Sequence, residues 1–305
     1  MKQNDVIGNR MKTFYEDIPK TKLMRRTPTV IRIDGKAFHT FTRGFNRPFD
    51  NILIKSMQET TKYLCENIQG CVLGYTQSDE ISLILVDYQK LDTAAWFDYE
   101  IQKMCSISAS MATMAFNKAF DKAFKEWGRE NFSDWDTGGT NEPVNEKLMT
   151  LRQNYSNALN NGAMFDSRVF NIPKEEVTNY IYWRQLDASR NSIQMVGQAN
   201  FTYKELQNKS CNDIQDMLML QKGINWNDFP TYQKRGSCVI KEEYWVDKNT
   251  GKEYSPECKG FLNNINYGEG DLKRTRWIID KNIPIFKGDK RQYVEKLINV
   301  GGTQN

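Results

Sequence analysis

Two short acidic stretches hold the side chains of this chain that are best suited to bind a cation. Asp34 lies in the stretch IRIDG (residues 31–35), and Asp79 and Glu80 close the stretch GYTQSDE (residues 74–80). Each stretch alone is also typical of a turn or a cap. Together they would bring two or three carboxylates to one point, where divalent cations neutralise the repulsion and leave room for phosphate oxygens.

Two predicted strands would position these carboxylates. Residues 29–33 are rich in β-branched side chains between Pro28 and Gly35, and residues 81–86 are mainly apolar, so both segments are expected to be strands. Asp34 would lie at the end of the first strand, and Asp79 and Glu80 at the start of the second. If the strands are antiparallel neighbours, these ends meet.

The residues after Asp34 are suited to bind an anion. Lys36 and His39 lie close to the acidic end, and Ala37 and Phe38 add successive backbone N–H groups. Gly35 permits a tight backbone path that turns such amides toward an anion. Carboxylates for a metal beside amides for phosphate describe a site for a nucleoside triphosphate.

The order of these motifs resembles one known family. Residues 32–39, Pro48, Asp50 and residues 75–82 are similar to the tRNA(His) guanylyltransferase family, and more closely to its guanylyltransferase-like branch of 3′-to-5′ polymerases. The resemblance covers about residues 5–245. It continues downstream in Trp96, Lys103, FDSR (165–168), YWRQ (182–185), Asp187 and KRG (234–236).

The resemblance implies a palm-type catalytic core that adds nucleotides to the 5′ end of tRNA. Enzymes of this family activate a 5′-monophosphate with ATP or GTP and then let the 3′-hydroxyl of an incoming nucleotide attack the activated end. Carried over by motif, Asp34, Asp79 and the Gly35 carbonyl would bind two Mg²⁺ ions. Glu80 would be a further acid of the catalytic site.

The resemblance also implies nucleotide-binding roles, each with an ordinary alternative. Arg32 shares a strand face with Asp34 and would contact a phosphate or pair with an acid. Ser78 would donate a hydrogen bond to the nucleotide or cap a turn. Lys103 matches the family's triphosphate-binding lysine, although a lysine on a predicted helix is normally solvated. The full nucleotide-binding set is Arg32, Lys36, Ala37, Phe38, His39, Ser78 and Lys103. His39 is the only histidine, so a histidine base elsewhere is excluded.

One departure from the eukaryotic members concerns the segment ASRNSI (residues 188–193). Those enzymes carry HINNLYN here, which is tied to obligatory guanylate addition on tRNA(His). The segment instead looks like the bacterial, archaeal and phage form, which points to template-dependent repair of truncated 5′ ends. Arg190 and Asn191 would contact RNA or the activating nucleotide, or else end a helix.

Basic and aromatic residues downstream predict contacts with RNA, although such clusters are more often solvated faces. Tyr203 and Tyr232 accompany the cations, and this combination is typical of proteins that hold single-stranded or frayed RNA. The predicted RNA-binding residues are Arg168, Arg190, Asn191, Lys204, Lys209, Lys234 and Arg235.

Composition is that of a soluble, cytoplasmic enzyme. The chain has 305 residues, 39% of them hydrophobic, and a net charge of only +4, so nucleic-acid binding would need a local basic patch. No apolar run approaches the roughly 18 residues of a membrane span, and residues 1–6 lack the apolar core of a signal peptide. Six cysteines without a Cys-x-x-Cys pair predict reduced thiols and no zinc site.

The expected fold class is α/β (α+β), with an antiparallel palm sheet flanked by helices and helical, RNA-binding additions. Helices are predicted over residues 5–15, 49–68, 99–120 with an extension to 125, and 174–189, and a strand over 168–171. The catalytic domain is predicted to consist of residues 1–125 and 162–245, and the second of these segments is predicted to contact RNA. Polar residues 126–161 would form an insertion or lid outside the core, and 246–305 a C-terminal extension.

The predicted function is Mg²⁺-dependent, templated 3′-to-5′ addition to tRNA 5′ ends, with tRNA and nucleoside triphosphates as substrates. A homotetramer is expected from the family. One alternative is the addition of a single guanylate to tRNA(His). A second alternative is a synthase or cyclase of signalling nucleotides. A third is a catalytically idle RNA-binding module, and the intact Asp34, Asp79 and Glu80 disfavour this third alternative.

Overall fold

A single antiparallel sheet forms the centre of the fold. The computed structural model describes residues 5–132, 135, 145–246, 248, 251, 253–254 and 272–299. Strand order is β4-β1-β3-β2-β5-β6, and β7 also pairs with β5; every pairing among the described residues is antiparallel. The strands are β1 (Thr29–Gly35), β2 (Cys71–Gln77), β3 (Glu80–Leu85), β4 (Phe165–Asn171), β5 (Ser237–Val246), β6 (Glu253–Tyr254) and β7 (Leu272–Asp280).

Ten α-helices lie in the described part of the chain. A π-helical turn, Lys12–Glu16, follows the first, and a 3₁₀ turn, Lys174–Glu176, precedes the sixth. The helices are α1 (Val6–Met11), α2 (Phe38–Phe41), α3 (Asn51–Asn67), α4 (Ile101–Asn131), α5 (Glu146–Asn161), α6 (Val177–Asn200), α7 (Tyr203–Leu206), α8 (Cys211–Lys222), α9 (Thr231–Arg235) and α10 (Gln292–Ile298).

Alternation along the strands divides the core between the two faces of the sheet. On one face, Ile31, Ile33 and Leu83 pack in a cluster with residues of α3 and α4. On the other face, Val30 and Ile84 pack in a cluster with residues of α6 and α10. The centre of the sheet is therefore covered on both faces, and the acidic side chains lie where β1 and β3 end.

The register of β1 and β3 confirms the predicted pairing. The strands are antiparallel, and Asp34 lies directly opposite Glu80. β1 also pairs with β4, where Asp34 lies opposite Asp166. The acidic ends of β1 and β3 therefore coincide, and a third strand joins them at the same sheet edge.

Two predicted helices are longer than expected. α6 runs to Asn200 rather than Ser189, because Ile193 and Val196 continue its apolar face into a third buried cluster with α8. Residues 190–193 are thus inside a helix and do not end it. α4 extends to Asn131, because Phe124 and Gly128 are still buried near its end.

The expectation that residues 126–161 lie outside the core is wrong for α5. This helix buries Leu151, Tyr155 and Ala158 in the same cluster as α3 and α4. The Tyr155 hydroxyl donates to the Asp50 carboxylate at 2.5 Å, and Asp50 caps α3 by accepting from the Leu53 N–H at 3.0 Å. The remaining division into domains stays a prediction.

The cysteines and helices bear on two further expectations. Cys65, Cys71, Cys105, Cys211 and Cys238 are all free thiols, and Cys258 lies outside the described residues. None of the described helices combines the length and apolarity needed to cross a membrane.

Candidate active site

The carboxylates meet where β1, β3 and β4 end together. The pairings place Asp34, Glu80 and Asp166 side by side across three strands. Asp79 lies in the turn before β3, and its carbonyl accepts a hydrogen bond from the Gly35 N–H at 3.1 Å. Asp79 is thus tied by the backbone to the residue that follows Asp34, so the two stretches form one acidic end.

Glu80 is held by two guanidinium groups. Its Oε1 accepts from Arg32 Nη2 and its Oε2 from Arg184 Nη1, both at 2.6 Å. Arg184 is 4% exposed and also pairs with Asp187 at 3.2 Å. Both oxygens of Glu80 are therefore engaged, and Asp34 and Asp79 are the two predicted ligands whose carboxylates remain available to a cation.

Burial sets the ionisation of these two available carboxylates. Desolvation raises the pKa of Asp34, and the negative charge of Glu80 raises it further, while Arg32 opposes the shift. Desolvation also raises the pKa of Asp79, and the hydrogen bond from Ser78 opposes it. Because both groups cost free energy to ionise here, a cation beside them would be favoured.

A cavity of about 670 Å³ opens beside Asp79. Its walls come from the residues after β1, from the turn before β3, from the loop leading to α3, and from the second half of α6. The lining residues include Gly35, Ala37, Phe38, His39, Arg43, Arg47, Asp50, Ser78, Asp79, Met195 and Gln198. The cavity is large enough for a nucleotide.

The backbone path after Asp34 differs in one detail from the expectation. Gly35 is not the residue with left-handed dihedral angles; Ala37 is, with φ 54°. Gly35 is required for another reason, because a Cβ there would lie 2.3 Å from the Phe38 ring. The N–H groups of Gly35 and Lys36 bond to the carbonyls of Asp79 and Met164, so the amides at the start of α2 are the ones left for an anion.

Ser78 contacts the acidic end directly. It has a φ of 50°, and its hydroxyl donates to Asp79 Oδ1 at 3.0 Å. Ser78, Asp79 and His39 all line the cavity; their roles in binding nucleotide and metal stay predictions. Metal-binding chemistry at this point would therefore lie at the mouth of a pocket that also offers amides and cations.

Comparison with known proteins agrees with this geometry. Residues 8–173 match the sequence model of the tRNAHis guanylyltransferase family. The chain belongs to the tRNA(His) guanylyltransferase family. The resemblance found in the motifs is confirmed, and so is the prediction of a nucleotidyltransferase fold with a mixed α/β core.

The alignments with several members of this family include most of the chain. A bacterial tRNA(His) guanylyltransferase-like protein solved in complex with ATP is 40% identical, with a TM-score of 0.69 over 96% of this chain and 99% of that one. A second structure of this kind, in complex with GTP, is 38% identical, with a TM-score of 0.67 over 97% and 100%. The tRNA(His) guanylyltransferase of Saccharomyces cerevisiae is 27% identical over 227 residues, which are 70% of this chain and 82% of that one.

Lys103 is not among the residues that line the cavity at Asp79. It lies near the start of α4, where its ammonium group is 5.3 Å from the centre of the Phe97 ring. The assignment of Lys103 to nucleotide binding stays a prediction.

The residues of this chain that were predicted to bind RNA lie in several separate places. Lys234 is buried, donates its ammonium group to the Asn227 carbonyl and lies over the Trp226 ring. That prediction is wrong, because the group is already bound inside the protein. Arg235 is half-buried, and its carbonyl accepts from the Tyr75 hydroxyl at 2.6 Å.

Other members of that set remain accessible. Arg168 is exposed, 3.9 Å from Asp34 and 3.5 Å from Asp166, so it lies at the acidic end. Arg190 pairs with Asp187 on the exposed side of α6, and Asn191 is half-buried beside it. Lys204 is exposed in α7, next to Tyr203.

Lys209 lines a separate groove of about 420 Å³ between α6 and the segment leading to α8. This groove shares Arg47 and Gln198 with the cavity at Asp79. The two spaces are therefore neighbours.

Sequence reasoning gave no role to Asp166 and Arg184. Both lie in motifs that resembled the family, FDSR and YWRQ, but neither motif tells which acid or base a side chain will meet. The position of Asp166 could have been predicted. The strand predicted over residues 168–171 begins at Phe165 in the structure, and this earlier start places Asp166 opposite Asp34. The burial of Arg184 had no signal in the sequence, since an arginine on a helix is normally exposed.

Proposed function

We propose that this protein extends the 5′ end of tRNA in the 3′-to-5′ direction, choosing each nucleotide by pairing with the opposite RNA strand. The observation that carries the proposal is the cavity at Asp79, which is lined by Asp79 itself, by the residues at the start of α2 and by the cations Arg43 and Arg47. Such a space suits a triphosphate together with a divalent cation.

Two relationships favour the repair reaction over the addition of a single guanylate. The chain is 40% identical to a bacterial guanylyltransferase-like protein over 96% of its length, whereas its identity to the yeast tRNA(His) enzyme is 27% over 70%. In addition, residues 188–193 lack the histidine that the eukaryotic motif carries. Both features associate the chain with the branch that repairs 5′ ends.

The residues present are compatible with Mg²⁺. Among the described residues, no three His, Cys, Asp or Glu side chains form a ready-made metal site. Mg²⁺ does not need one, since it is commonly held by one or two carboxylates and completed by phosphate oxygens and water. Asp34 and Asp79, with the Gly35 carbonyl, would hold it. The bound ion would neutralise phosphate charge and lower the pKa of the attacking hydroxyl.

The chain's own groups would position the reactants in two transfers. In the first, an oxygen of the tRNA 5′-phosphate attacks the α-phosphorus of ATP or GTP, and pyrophosphate leaves. In the second, the 3′-hydroxyl of the incoming nucleotide attacks the 5′-phosphorus, and the nucleoside monophosphate leaves. The amides of Phe38 and His39 would hold phosphate oxygens, and Ser78 would orient the Asp79 carboxylate. Arg32 and Arg184 would act as positioning residues through Glu80.

The groove at Lys209 would hold part of the RNA. It contains the exposed Tyr203 ring beside Lys209 and Arg47, and such groups stack on bases and neutralise phosphates. Because the groove joins the cavity through Arg47 and Gln198, RNA bound there would lie next to the reacting end.

An extension assay tests this proposal. A 5′-monophosphorylated tRNA that lacks its first nucleotide is incubated with Mg²⁺, ATP and the four nucleoside triphosphates, using wild type, Asp79→Asn and the exposed Asp92→Asn as a matched control. Wild type and control should add one nucleotide and stop at the length set by the opposite strand, and Asp79→Asn should add none. Consumption of free nucleotides without tRNA growth would instead assign the protein to signalling-nucleotide synthesis.

A further inference from the structure

A third space adjoins the cavity, between α2 and α5. This α2–α5 groove has a volume of about 520 Å³ and shares Ala37 and Arg43 with the cavity at Asp79. A ligand in the groove would therefore lie next to a reacting phosphate. Neither the predicted nucleotide-binding set nor the predicted RNA-binding set includes the α5 residues that line it.

Helix α5 presents three amide side chains to the groove. Asn154, Asn157 and Asn161 are spaced by three and four residues, which places them on one side of the helix. Leu151 and Tyr155 anchor the helix in the core from a neighbouring side. The amides therefore project from a fixed support.

The loop after α2 is fitted closely to this helix. Asn154 Nδ2 donates to the Gly44 carbonyl at 3.0 Å. A Cβ at Gly44 would lie 2.3 Å from the same Nδ2, and Gly44 has a φ of +81°. Only glycine fits this approach at low cost, so the end of the groove is closed by a specific contact.

The groove attracts anions. Lys36 and Arg43 are exposed and form no ion pair with any residue that the structure describes. No carboxylate is among the described residues that line it. Cations bind phosphates, and amides bind both phosphate oxygens and ribose hydroxyls.

We propose that the α2–α5 groove binds the ribose–phosphate backbone of one strand of the tRNA acceptor end and leads it into the cavity at Asp79. The inference rests on the proposed function, which makes tRNA the substrate. An enzyme that pairs an incoming nucleotide with a template must hold the backbones of two paired strands, the growing strand and the template, at the reacting end. The cavity has one adjoining groove at Arg43 and another at Arg47, one for each strand. A triphosphate held in the cavity needs neither groove.

Charge variants of α5 test the proposal without changing the cavity. Asn157→Asp/Asn161→Asp adds two negative charges to the groove with almost no change in side-chain shape. Asn157→Lys/Asn161→Lys adds two positive charges. The matched control is Thr150→Asp/Asn160→Asp, which adds the same negative charge to exposed positions of α5 outside the groove lining. Affinity for 5′-monophosphorylated tRNA is measured by fluorescence anisotropy, and affinity for ATP by calorimetry.

The aspartate pair should weaken tRNA binding by about three- to tenfold relative to the control, and the lysine pair should strengthen it. The difference should shrink as salt is raised, and ATP affinity should match that of the control. Equal tRNA affinity in the aspartate pair and the control would overturn the proposal. A parallel loss of ATP and tRNA affinity would also overturn it, because the groove would then bind free nucleotide.

The extension assay separates this proposal from the proposed function. If wild type extends tRNA but the aspartate pair binds like the control, only the groove assignment fails. If wild type binds tRNA with the expected pattern among the variants but extends nothing, the proposed function fails and the groove assignment stands.

Discussion

The buried guanidinium of Arg184 donates to the Glu80 carboxylate at 2.6 Å and holds it away from solvent. Arg184 is the centre of a chain of ion pairs that runs from Arg32 through Glu80 and Asp187 to Arg190. The strand end that carries the candidate site is thereby fastened to α6. Glu80 and Asp79 are neighbours in the sequence, but Glu80 is bound by two arginines, whereas Asp79 accepts a hydrogen bond from Ser78.

Replacement of Arg184 should therefore destabilise the fold. Arg184→Met leaves one oxygen of Glu80 without its cation in a half-buried place, which costs about 3–5 kcal/mol for a broken buried pair. Arg190→Met, at the exposed end of the same chain of ion pairs, should cost less than about 1 kcal/mol. Urea unfolding of both variants measures the difference, and equal losses would show that burial of Arg184 contributes nothing.

The Asp79→Asn variant should separate stability from activity. Because the pKa of Asp79 is raised in the folded protein, its contribution to stability is present below the ordinary aspartate range and is lost as pH rises through the folded value. At pH 7 the neutral amide removes that cost, so the metal-free variant should unfold at the same or a higher temperature. Activity should fall about a hundredfold or more, because a ligand that neutralises phosphate charge is lost.

Thermal melts with and without Mg²⁺ complete this test. Mg²⁺ should raise the melting temperature of wild type more than that of Asp79→Asn. A variant that melts well below wild type without metal, or that gains as much from Mg²⁺, would contradict the assignment of Asp79 as a ligand.

Two lysines predicted to bind RNA should behave in opposite ways. Lys234→Met removes a buried donor to the Asn227 carbonyl and should cost about 1–3 kcal/mol of stability, with little change in the tRNA affinity of the folded protein. Lys209→Met should leave stability unchanged and weaken tRNA binding severalfold. Anisotropy titrations and urea unfolding of the two variants check this, and reduced tRNA affinity in the Lys234 variant alone would contradict it.

Alkaline pH should destabilise the protein through Tyr99, which is buried, and Tyr88, which is half-buried. Burial raises the pKa of Tyr88 and of Tyr99 to about 12. Their contribution is fully present below the ordinary tyrosine pKa near 10 and is lost as pH rises toward 12, with a slope of up to about 1.4 kcal/mol per pH unit for each group. Urea midpoints from pH 8 to 12 should fall more gently in Tyr99→Phe. An identical slope in that variant would show that Tyr99 does not titrate in this way.

The sequence predicted the acidic end of the sheet because strand alternation and turn residues are local signals. Asp34 and Glu80 had to meet once β1 and β3 were antiparallel neighbours, and their register confirms it. The asparagine-rich part of α5 was misjudged, because its amides hide the spacing of Leu151, Tyr155 and Ala158, which pack in the core.

Long-range electrostatic partners could not be predicted from spacing. Arg184 and Lys234 are both buried; Arg184 pairs with Glu80, which is distant in sequence, and Lys234 donates to the Asn227 carbonyl in a 3₁₀ turn. The residue type of a basic side chain does not show whether the side chain is buried or exposed.

The most direct test of the central claim is the identity of the nucleotide added opposite each template base. Four 5′-monophosphorylated tRNAs lacking the first nucleotide are prepared with A, C, G or U opposite the missing position, and the product of each is sequenced. The account predicts addition of U, G, C and A, respectively. Addition of guanylate to all four tRNAs would contradict it and assign the protein to single, untemplated guanylate addition.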